Sequence, residues 1–87
     1  MHEFSLITDL IRKITTIARE QHARKVIGVT VKFGALSHIS PSHFREHFAH
    51  ATQGTVAEGS QLNIKLINDV NDPLFQEVHL ESIEVFD

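Results

Sequence analysis

Met1, His2 and Glu3 place three nitrogen donors along one short covalent path: the terminal amine, the His2 amide and the His2 imidazole. Together these atoms can close two fused small chelate rings on a single ion. A set of nitrogens so constrained suits a tetragonal metal such as Ni(II) or Cu(II). Taken alone, the same tripeptide also reads as a polar start that frays before a helix.

Four more histidines bear on metal chemistry. His43, His47 and His50 stand at spacings of four and three, which puts them on one helix face. A pair at i and i+4 can chelate a metal, but Glu46-His47 lacks the second histidine of a His-Glu-x-x-His zinc-protease pattern. The three read first as a polar helix face, with a second metal site or a partner contact as the sharper alternative. His38 falls in a turn after Gly34-Ala35-Leu36-Ser37 and reads as solvated. Of the others, His22 ends the first helical segment, where a cation complements the helix dipole. His79 lies in the last strand segment and reads as facing solvent. Ser5, Asp9 and the histidines form no triad spacing, and there is no Gly-rich phosphate loop, so no constellation supports an enzyme.

The chain has 87 residues, enough for one small domain that buries about 60–65% of its unfolded surface. It has no cysteine, which removes disulfides and thiolate metal sites and favours a reducing compartment. No apolar run reaches membrane-spanning length, and Met1-His2-Glu3 is not a basic leader, so the expected location is cytoplasmic, off the membrane. The net charge of −3 gives no general drive toward nucleic acid, and the basic residues are not interleaved with aromatics. Charge is uneven: residues 1–45 carry seven Lys/Arg against three Asp/Glu, and residues 46–87 carry one against eight. Arg12, Lys13, Arg19, Arg24 and Lys25 read as a solvated face, with partner docking as the alternative.

These residues must be positioned by few elements. Phe4, Ile7, Leu10, Ile11, Ile14, Ile17 and Ala18 recur at helical spacing, predicting a helix over 5–22 with Ser5 as its N-cap. Ile27, Val29, Val31 and Phe33 alternate with Gly28, Thr30 and Lys32, predicting a strand over 25–33 with the first set buried. Ser40-Pro41 starts a second helix, Phe44, Phe48 and Ala51 form its apolar stripe, and Gly54 is placed to stop it. Two strands follow over 61–67 and 77–86, the latter with a phase slip near Glu81-Ser82 that marks a bulge. Residues 68–73 are a turn signal. The expected fold is α+β: two helices packed on a small three-stranded mixed sheet, in the order helix-strand-helix-strand-strand. The first two strands are long enough apart for a parallel crossover, and the last two could pair as a hairpin.

Met1-His2-Glu3-Phe4-Ser5-Leu6, Val29 to Ser37 with its Gly34-Ala35-Leu36-Ser37 turn, and Ile39-Ser40-Pro41 share an order with one known family. Gly54-Thr55-Val56-Ala57-Glu58-Gly59-Ser60-Gln61-Leu62-Asn63-Ile64 and His79 to Val85 continue it. Over residues 1–67 and 76–86 the chain resembles the HypA/HybF family of hydrogenase nickel-incorporation proteins. The resemblance implies a single nickel-binding domain over 1–87. Ni(II) would be bound by the Met1 amine, the His2 amide and imidazole, and Glu3 through its backbone or side chain.

Family members carry a zinc domain between their last two strands, built on two Cys-x-x-Cys pairs; here only the short turn near 68–73 stands there, so no zinc is expected. The partners implied are a nickel-handling GTPase of hydrogenase maturation and the hydrogenase large subunit, with urease maturation as a second outlet; a homodimer is left open. The competing reading is a metal-free scaffold or regulatory module that has kept the fold.

Overall fold

The computed structural model describes residues 3–34, 39–73 and 77–86, with residues 3 and 4 described by their backbone alone. The elements run α1 (Glu3–Glu20), β1 (Lys25–Gly34), α2 (Pro41–Ala51), β2 (Gln61–Ile67) and β3 (Val78–Phe86). This is the expected order of two helices and three strands.

In α1, Ile7, Leu10, Ile14 and Ala18 are buried, so the three- and four-residue spacing becomes the face laid on the core. The helix begins at Glu3, two residues ahead of Ser5, so Ser5 is an exposed residue of the first turn rather than its N-cap. It ends at Glu20, two residues short of the expected boundary, because His22 turns the chain at φ 54°. The His22 N–H donates to the Arg19 carbonyl at 3.1 Å and the Ala23 N–H to the Ala18 carbonyl at 2.9 Å. That pair of bonds is a Schellman cap, with the apolar pair Ala18 and Ala23 beside it in the core.

Strand β1 is the centre of a sheet ordered β2-β1-β3. It runs parallel to β2, as a crossover through α2 requires, and antiparallel to β3. The hairpin expectation for the last two strands fails, since β2 and β3 lie on opposite sides of β1. The chain between them passes the Gly34 end of β1, where the Gly34 N–H donates to the Glu77 carbonyl at 2.7 Å.

The β1–β3 ladder slips twice. Val26 pairs with Val85 and Gly28 with Glu84, which leaves Ile27 as an extra residue on β1. Thr30 pairs with Ser82 and Val31 with Leu80, which leaves Glu81 as an extra residue on β3, at the slip expected there. Each extra residue shifts the two-residue alternation by one. Val26 therefore joins Val29, Val31 and Phe33 in the core, and Ile27, expected to be buried with them, is 47% exposed. On β3 the same shift lets Val78 and Leu80 share the core with Ile83 and Val85.

Helix α2 is capped as the sequence predicts. Ser40 stands in extended conformation, its hydroxyl accepts from the His43 N–H at 3.5 Å, and Pro41 fills the first turn. Phe44 and Phe48 are buried, and the Phe44 ring meets Phe33 edge-on at 5.4 Å. Arg45 reaches across to donate to the Leu62 carbonyl at 2.6 Å, tying α2 to β2. The helix stops at Ala51, and Gly54 turns the chain just beyond at φ +80°.

The loop from 52 to 60 is bound to itself. The Thr55 hydroxyl donates to the Thr52 carbonyl at 2.7 Å and accepts the Ala57 N–H at 3.2 Å. Glu58 Oε1 accepts the Gly54 N–H at 2.6 Å, and the Val26 N–H donates to the Val56 carbonyl at 3.0 Å. The Gly-Thr-x-Ala-Glu-Gly segment thus has roles in folding: Thr55 and Glu58 bond the loop, Gly54 and Gly59 turn it at positive φ, and Ala57 packs in the core.

Candidate metal centre

Met1 and His2 lie outside the described residues, and so does the side chain of Glu3. What the structure describes is their support. Glu3 is the first residue of α1, so the backbone passes from the tripeptide into helix with no intervening linker. Ile7 and Leu10, 2% and 5% exposed, fix the first turns of that helix to the core.

Among the described residues, no group of three or more His, Cys, Asp or Glu side chains is arranged to hold a metal ion. His38 lies outside them. His22 is exposed and works through its backbone, as the left-handed residue of the helix cap. Exposed His79 meets Glu77, with Nε2 and Oε2 3.0 Å apart. His43, His47 and His50 lie along the exposed side of α2, and the His43 and His47 rings stand nearly parallel with centroids 6.5 Å apart.

The sheet surface away from the helices carries a charge cluster that the sequence reading missed. Glu81 Oε2 lies 2.7 Å from Lys65 Nζ, and its Oε1 lies 3.8 Å from Lys32 Nζ. Lys32 and Lys65 face one another across β1 and β2, and the bulge turns Glu81 toward both. The hydrogen bond from Lys65 is the main cause that holds the Glu81 carboxyl below its ordinary value. The phase slip at Glu81-Ser82 was the available signal. Between α1 and β3 runs a groove of about 440 Å³ lined by Arg12, Lys13, Thr16, Ile17, His79 and Leu80. Arg12 also pairs with Asp9 at 3.5 Å, both exposed.

With the helix-led fold and its amino-terminal tripeptide in view, known proteins supply the class. Residues 1–71 match the family described as hydrogenase/urease nickel incorporation, metallochaperone, hypA. The class is thus that family, whose description is nickel incorporation. The chain belongs to the HypA family, as its motifs implied.

The hydrogenase maturation factor HypA of Archaeoglobus fulgidus is 38% identical over 66 residues, covering 76% of this chain and 60% of that one. The Acidithiobacillus ferrooxidans factor is 41% identical over 64 residues, covering 74% and 57%. The chain therefore spans about 60% of the length of the curated relatives it matches. In fold it is similar to the solution structure of the Ni metallochaperone HypA from Helicobacter pylori. The TM-score is 0.83 at 21% identity, over 99% of this chain and 98% of the other.

Proposed function

We propose that this chain is a nickel metallochaperone domain that holds Ni(II) at Met1, His2 and Glu3 and delivers it for hydrogenase maturation. The observation that carries the reading is the family match, which starts at residue 1 and so includes the tripeptide. The donor chemistry supports it. A primary amine, a deprotonated amide and an imidazole give the strong in-plane field that low-spin Ni(II) favours. Protons compete for all three, so binding weakens as pH falls.

Glu3 belongs both to the tripeptide and to α1, so the proposed site adjoins the helix at its last residue. A chelate with open coordination positions also releases its ion more readily than a closed cage. No substrate is turned over. The cargo passes to a nickel-handling GTPase or to the hydrogenase large subunit, with α1 beside the site as the contact, in the cytoplasm. No helix among the described residues is long and apolar enough to cross a membrane. With no cysteine, the chain offers no thiolate zinc site.

The test is a pair of measurements on the protein with an authentic Met1. Ni(II) titration should show a tight site that His2→Ala weakens at least tenfold. Nickel-loaded protein should then transfer its ion to the GTPase faster than free diffusion from a matched small chelator. Equal titrations for the two proteins would reject the site, and the absence of nickel binding in both would leave the scaffold reading.

A further inference from the structure

We infer that His43 and His47 form a second, separate binding site on α2 for a divalent first-row transition metal. The two residues stand one helical turn apart on the exposed side of the helix. Their rings are 9° from parallel with centroids 6.5 Å apart, so both side chains leave the backbone in the same sense. Two imidazoles bound cis to one ion, each at about 2.0–2.1 Å, need their ligating nitrogens about 3 Å apart. Residues four apart on one helix face are neighbours, so reorientation of these two exposed side chains can direct both imidazoles at one ion.

The backbone under the pair is held firmly. Phe44 and Phe48, each the next residue in sequence, are 0% and 2% exposed and repeat the same four-residue step on the buried side. The Ser40 cap fixes the start of the helix one turn before His43 and two turns before His47. Arg45, the cation between the two histidines in sequence, is turned toward β2 by its bond to the Leu62 carbonyl.

Two imidazoles leave the remaining positions to water or to a donor from another molecule. Such an open site binds and releases, with Cu(II) and Ni(II) ahead of Zn(II) by the general order of affinities. His50 extends the stripe by one more turn.

The test uses the full chain and Ni(II) alone as probe, followed by calorimetry and by imidazole NMR signals. Four proteins are compared: the unmodified chain, His2→Ala, His43→Ala/His47→Ala, and the three substitutions together. His2→Ala should retain one site that shifts the His43 and His47 signals, and the triple variant should lose it, with affinity falling at least tenfold.

A fifth protein, His2→Ala with His47→Ala/Ala49→His, keeps the number of histidines but breaks the pair, and should bind no better than the triple variant. Circular dichroism establishes that each variant is folded. Equal binding by His2→Ala and the triple variant, or by His2→Ala and the fifth protein, would overturn the assignment. Failure of the amino-terminal site would appear separately, as equal binding by the unmodified chain and His2→Ala.

Discussion

Glu58 Oε1 accepts the backbone N–H of Gly54 at 2.6 Å, closing the loop between α2 and β2 with a carboxylate. The contact gives Glu58, within the Gly-Thr-x-Ala-Glu-Gly segment, a structural role. Glu58→Ala should lower stability by about 1 kcal/mol, the scale of one partly exposed hydrogen bond. Glu58→Gln keeps an acceptor and should lose less. Urea midpoints for the two variants check the order. In the same loop Gly54→Ala, at φ +80° with open space around it, should cost about 1 kcal/mol through backbone strain alone.

His22 is the one non-glycine with positive φ among the described residues, and it occupies the helix-capping position where glycine is favoured. Relief of the left-handed strain is worth about 1–2 kcal/mol. The extra freedom of glycine in the unfolded chain offsets about 0.5–1 kcal/mol of it. His22→Gly should therefore stabilise the fold by about 0.5–1 kcal/mol, and His22→Val should destabilise it. Thermal melts decide the signs.

The Glu81 carboxyl is held below its ordinary value of 4.5 by the Lys65 hydrogen bond and by the charges of Lys65 and Lys32. A depressed folded-state value stabilises the fold at pH above the unfolded value and loses that contribution as pH falls through the folded one. Urea midpoints should separate the unmodified protein from Glu81→Gln near neutrality and converge in acid. Salt should narrow the gap because the cluster is exposed. A gap that widens in acid would contradict the assignment.

Phe44 is fully buried against Phe33 and Phe48. Phe44→Ala should cost about 3–5 kcal/mol, most of the stability of a domain this small. Phe44→Leu should cost less and leave α2 in place. Chemical denaturation followed by circular dichroism measures both.

The elements were legible where periodicity and caps agree. Ser40-Pro41, the Phe44 and Phe48 step, and the segment over 61–67 each form the element that their residues predict. Ile27 misled because a bulge is a property of two strands: alternation on β1 alone could not show that β3 would skip a residue there. The hairpin expectation failed for a related reason, since pairing partners are set by the whole sheet and β1 binds both neighbours. His22 was legible as a helix-end residue whose charge complements the dipole, but not as a left-handed cap acting through its backbone, because left-handed histidine has no strong sequence signal. Of the proposed site, the sequence offers the candidate donors, and the fold adds the helix that starts at Glu3.

The most direct measurement compares the protein bearing a free Met1 amine with the same protein acetylated at that amine. Acetylation converts the primary amine to an amide, supplies no replacement amine and leaves every side chain in place. The account predicts that the tight Ni(II) site, together with the absorption of planar nitrogen-bound nickel, is present with the free amine and disappears from the acetylated protein. Undiminished binding and an unchanged spectrum in the acetylated protein would contradict nickel capture at Met1, His2 and Glu3.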